Sequence, residues 1–116
     1  MTSFVESLES IYKKSYIDTR GDIMLDIDQQ ITRGITFIRL EGELTTTNYY
    51  RFAEEVNYLL YSQGMLAYVF NLENIKKLDN NLLGSLQNKL TEIFLKCGTV
   101  AFCGLSEKVK KKIVLP

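Results

Sequence analysis

The spacing of apolar and polar residues changes period several times along the chain. Residues 66–72, Leu-Ala-Tyr-Val-Phe-Asn-Leu, form a nearly unbroken apolar run rich in β-formers. That pattern predicts a strand buried on both faces. From Ile23 the period is two: Ile23, Leu25 and Ile27 alternate with Met24, Asp26 and Asp28, as in a strand with one wetter face. A further strand is predicted over residues 35–40. The short Thr32-Arg33-Gly34 connection makes the pair an antiparallel hairpin. Thr99–Cys103 is expected as a short buried strand.

Between these segments the period is helical. Tyr49, Phe52, Val56, Leu59 and Leu60 form one face, with the hydroxyl cluster 45–47 and Asn48 as caps and Gly64 as the stop. Leu83, Leu86, Leu90, Ile93 and Phe94 form another over residues 81–96, ended by Gly98. Ser106 caps a short helix over 107–113 that stacks Val109 on Ile113. Residues 2–17 place Phe4, Val5, Leu8, Ile11 and Tyr12 on one side and Glu6, Glu9, Lys13 and Lys14 on the other, predicting an amphipathic helix. Alone it is marginal. Its stripe needs a surface, on its own domain or across a homodimer. Residues 18–22 read as a connector and 73–77, with paired lysines, as a solvated loop.

Strand, helix and strand in succession imply a right-handed crossover if the strands are parallel neighbours, and so an α/β domain with a mixed sheet of four to five strands. Residues 1–21 are expected as a helical extension and 22–116 as the domain. The most informative corner follows the central run, where Asp79-Asn80-Asn81 precedes Leu82 and Leu83. Three good N-cap residues open a helix there, outside the carboxyl end of a strand, where α/β sheets place their sites.

Composition narrows the chemistry. The chain has 116 residues, 46% hydrophobic and 24% charged, with zero formal net charge and no histidine. Zero net charge disfavours a dedicated nucleic-acid binder, and the missing histidine removes imidazole catalysis and ligation. Cys97 and Cys103 lack metal or redox spacing and are expected as reduced thiols. No run is long enough to span a bilayer, and the N-terminus has no signal-peptide pattern, so a cytoplasmic location is expected. Asp26 and Asp28, the nearest acids for a metal, share one strand face and read as its solvated side; Glu54 and Glu55 are adjacent and diverge, a poor catalytic pair. No enzyme, cofactor or metal is expected.

Three signatures in order give the chain a family resemblance. Arg39-Leu40-Glu41-Gly42-Glu43-Leu44, Val69-Phe70-Asn71-Leu72 and Leu78-Asp79-Asn80-Asn81-Leu82-Leu83-Gly84 resemble the corresponding segments of the STAS fold in anti-sigma factor antagonists, the SpoIIAA/RsbV-like family. The resemblance spans about residues 24–113. It implies a bacterial, cytoplasmic transcription-regulation module whose partner is an anti-sigma factor with serine kinase activity. It also implies a partner-binding surface at Asp79, Asn80, Asn81, Leu82 and Ser85. In the family the serine after the loop acid is phosphorylated and the complex breaks. Asn80 occupies that position here and cannot be phosphorylated as a serine, while Leu82 replaces a small glycine and is expected to add bulk toward a partner. The chain is then a constitutive binder, or a STAS-type scaffold or small-ligand sensor for another partner. The family pattern also implies a further segment after the short helix, a place the N-terminal helix could cover.

Overall fold

The computed structural model describes residues 11–113. Their sheet has the order β1 (Ile11–Ile17), β2 (Ile23–Thr32), β3 (Ile35–Leu44), β4 (Ala67–Leu78) and β5 (Thr99–Cys103). The first two pairings are antiparallel and the last two parallel. Helix α1 (Tyr49–Asn57) runs into a π-helical turn over Tyr58–Ser62 and joins β3 to β4. A 3-10 turn over Asn80–Leu82 leads into α2 (Leu83–Leu95), and α3 (Glu107–Lys110) follows β5.

Alternation places Ile27, Ile38, Leu40, Tyr68 and Phe70 on the helix-covered face, all buried. Phe52 of α1 meets Phe70 edge-on at 5.4 Å. Leu86, Leu90 and Ile93 of α2 join the same core, and Val109 and Ile113 close it near the end. The hairpin between β2 and β3 turns at Arg33 and Gly34, both at positive φ (53° and 80°). This is the two-residue geometry whose twist matches the flanking strands.

Four expectations are corrected. Ile11–Ile17 is a strand rather than part of a helix; residues 2–10 of the predicted helix lie outside the described residues. β1 is held by polar tips. Lys14 bonds Glu55 of α1, and Arg51 stacks its guanidinium 4.8 Å from the Tyr16 ring. On the other face Lys13 reaches Asp26 at 3.6 Å. Along its length β1 pairs with β2. Residues 73–77 are not a loop: β4 continues to Leu78 against β3, accommodating two register shifts, while β5 pairs only as far as Asn71. β5 is an edge strand rather than a buried one, with Thr99 and Ala101 exposed and Val100 and Phe102 half-buried. Asn48 does not cap α1 through its side chain. Its amide instead accepts from the Thr45 N–H (2.9 Å) and donates to the Glu43 carbonyl (2.9 Å), bracing the loop before the helix.

Candidate partner-binding corner

The corner after β4 is built by backbone bonds at two strand ends. Asp79 donates its N–H to the Leu44 carbonyl at the end of β3 (3.0 Å). Its carboxylate accepts from the Asn81 N–H (2.9 Å), and its own carbonyl accepts from the Leu82 N–H (3.2 Å). One acid thus caps the 3-10 turn and ties it to the sheet, satisfying donors that a helix start leaves open.

The residues of the expected surface differ in exposure. Asn80 and Asn81 are exposed, and among the described residues neither side chain has a hydrogen-bond partner. Ser85, on the first turn of α2, is exposed too. Leu82 corrects the expectation: its side chain is 1% exposed and belongs to the core. The turn points it inward, so it adds no bulk toward a partner.

Two contributors escaped the sequence pattern. Tyr49 of α1 donates its hydroxyl to the Ser85 carbonyl (3.0 Å), pinning the start of α2 to α1. Burial, reinforced by the charge of Glu92, pushes this phenol up to about 12, so it stays a donor at any physiological pH. Its apolar spacing placed it in a core stripe and concealed the hydroxyl. The second contributor is the segment after β5. Gly104 (φ 82°) packs against the Glu73 backbone so closely that a Cβ would collide with it. That approach brings Leu105, Ser106, Lys108 and Val109 up to Leu72, Lys76, Leu78 and Asn80 around a cleft of about 350 Å³. Gly104-Leu105-Ser106 was visible as a turn and cap, but nothing local showed that it meets the end of β4.

The corner therefore offers two neutral amides on an exposed turn, beside a half-apolar cleft rimmed by lysines. The groups gathered there are amide donors and acceptors, apolar side chains and positive charge. Among the described residues no three His, Cys, Asp or Glu side chains form a metal-ligand group, and no helix is long and apolar enough to cross a membrane.

This arrangement is that of a STAS domain. The chain belongs to the STAS domain family, whose model matches residues 26–115. Among solved structures it is similar to the anti-sigma factor antagonist SpoIIAA in its unphosphorylated form, with 19% identity, a TM-score of 0.64, and 73% of this chain and 78% of that one covered. It is also similar to the protein TM1081, solved by NMR, with 23% identity, a TM-score of 0.60 and coverage of 72% and 66%. An antisigma-factor antagonist STAS domain from Rhodobacter sphaeroides matches at 13% identity with a TM-score of 0.52, over 93% of this chain and all of that one. At these identities the likenesses establish the fold.

Proposed function

We propose that the chain is a non-catalytic, cytoplasmic interaction module of the anti-sigma factor antagonist type. Its partner is an anti-sigma factor with serine kinase activity, and the contact surface is Asp79, Asn80, Asn81 and Ser85 with the adjoining cleft. The observation that carries this reading is the division of labour in the turn. Asp79 does the capping, so Asn80 and Asn81 are not needed to hold the helix start and stand free for a partner. On this reading Asn80 takes the position of the family's phosphorylated serine. An amide there adds no charge to the surface, whereas a phosphate adds about −1.5 to −2 charges. The complex is therefore constitutive. A STAS-type scaffold or small-ligand sensor is the second reading, favoured by the cleft beside Asn80.

The test is titration of the full chain against the anti-sigma kinase of the same organism, with ADP and then ATP. The expected result is one affinity under both nucleotides, no mass change in the segment 79–85, and weakened binding for Asn80→Arg. Asn80→Ser is expected to gain a phosphate and release its partner. Phosphate on the native segment, or full affinity in Asn80→Arg, would overturn the assignment. A small molecule retained through purification that is lost in Lys108→Glu would favour the sensor.

A further inference from the structure

The two edges of the sheet are built differently. The β1 edge carries Lys13 and Lys14 and a register irregularity between Tyr16 and Ile17. These are devices by which proteins discourage edge-to-edge pairing. β5 has none of them. Thr99-Val100-Ala101-Phe102-Cys103 has no charge, proline or bulge, and Thr99, Val100 and Phe102 favour strands. The Thr99 N–H donates to the Leu66 carbonyl (2.8 Å). In a parallel ladder the same orientation recurs at every second residue, so Ala101 and Cys103 also turn their backbone groups toward β4. Val100 and Phe102 turn theirs outward, and among the described residues no backbone group pairs with them.

We propose that this edge docks a second copy of the chain, β5 against β5, antiparallel about a twofold axis through Ala101. The sequence of the strand is self-complementary in that register. Val100 lies opposite Phe102 of the partner subunit, and Phe102 opposite the partner's Val100. These are the outward-facing residues, so all the open edge groups of both copies are satisfied together. On the helix-covered face the two pairs are aromatic against β-branched, a favourable cross-strand combination. They extend the ring contact that Phe102 already makes with Phe70 at 5.4 Å. On the other face only the small Ala101, Thr99 and Cys103 meet. Zero formal net charge removes overall repulsion between copies. The product is a continuous ten-stranded sheet, five strands from each copy. Because β5 is only five residues long, the association is reversible and concentration-dependent.

Sedimentation velocity on the full chain over a wide concentration range tests this. The native chain is expected to shift from monomer to dimer as concentration rises. Ala101 is exposed in the monomer, so Ala101→Glu should keep its far-UV circular dichroism and melting. It would set two carboxylates directly opposite each other and weaken the dimer by more than about tenfold. Val100→Pro removes one outward N–H, which an edge strand tolerates, and should likewise give monomer. In a Cys97→Ser, Cys103→Ser background, Ala101→Cys should form an interchain disulfide on oxidation. The paired Cα atoms of a non-hydrogen-bonded site lie about 4.5 Å apart, within disulfide reach. A native chain that stays monomeric throughout, a dimer indifferent to both edge variants, or an Ala101→Cys chain that does not crosslink would each overturn the proposal.

Discussion

At the scale of single residues, the candidate corner separates a residue that holds the fold from residues that are free to meet a partner. Asp79 is bonded through its N–H, carboxylate and carbonyl; Asn80, its neighbour, is exposed. Asp79→Ala should therefore cost about 1 kcal/mol of stability, as cap removal does. Asn80→Ala should stay within about 0.5 kcal/mol of the native chain, as exposed substitutions do. Urea denaturation of the two variants checks this, and equal losses would return Asn80 to a capping role. The sequence made the corner legible, since Asp79-Asn80-Asn81 is a strong helix-start signal. It did not show which of three good caps would be used. That depends on the Leu44 carbonyl at the end of β3, a contact far away along the chain. Leu82 precedes Leu86 by four residues and Leu90 by eight, so helical spacing itself puts it on the apolar stripe; the comparison with the family's glycine concealed that.

At the scale of elements, the end of α1 and the π-helical turn after it are clasped to α2 by a polar cluster. Lys89 is buried at 7% exposure and donates to Asn57 (2.6 Å) and Glu92 (3.0 Å), while Tyr61 donates its hydroxyl to the same Glu92 (2.7 Å). The Tyr61 hydrogen bond, followed by that of Lys89, holds the Glu92 carboxyl below its ordinary value. The unfolded chain thus takes up this proton first as pH falls. The stabilisation from the clasp is complete above the usual carboxylate range and is lost as pH drops through the lowered value. Glu92→Gln should flatten that acid limb in melting curves recorded across pH and cost on the order of 1 kcal/mol near neutrality, the carboxylate being partly exposed and screened. An unchanged acid limb would remove the clasp from the stability of the helix layer. Elements held by apolar stripes were readable in advance: β2, β3, the core of β4, and both long helices. β1 was not, because Lys14 and Tyr16 join the helix layer through an ion pair and a cation–π contact rather than through apolar periodicity. The extension of β4 was missed because Glu73, Asn74, Lys76 and Lys77 remain exposed. That stretch pairs with β3 alone, and half-solvated strand and loop look alike in sequence.

At the scale of the whole molecule, zero net charge conceals an uneven distribution. Lys76 and Lys108 line the cleft beside Asn80, and Lys77, Lys110, Lys111 and Lys112 adjoin them in the chain, all exposed. Among the described residues Glu107 pairs with Lys110 (3.3 Å). A positive rim around a neutral amide turn fits a partner with an acidic surface and acts on encounter more than on residence, because exposed charges steer association and are screened by salt. Association with the proposed partner should therefore slow as ionic strength rises while dissociation changes little. Lys76→Glu combined with Lys108→Glu should lower the association rate by about tenfold at low salt and abolish most of the salt dependence. Neither side chain lies in the core, so the melting temperature should hold. Surface plasmon resonance at several salt concentrations distinguishes the two rates. A salt-independent association rate in the native chain would move the contact off the lysine rim. A selective rise in dissociation would place these lysines inside the desolvated interface instead of at its border.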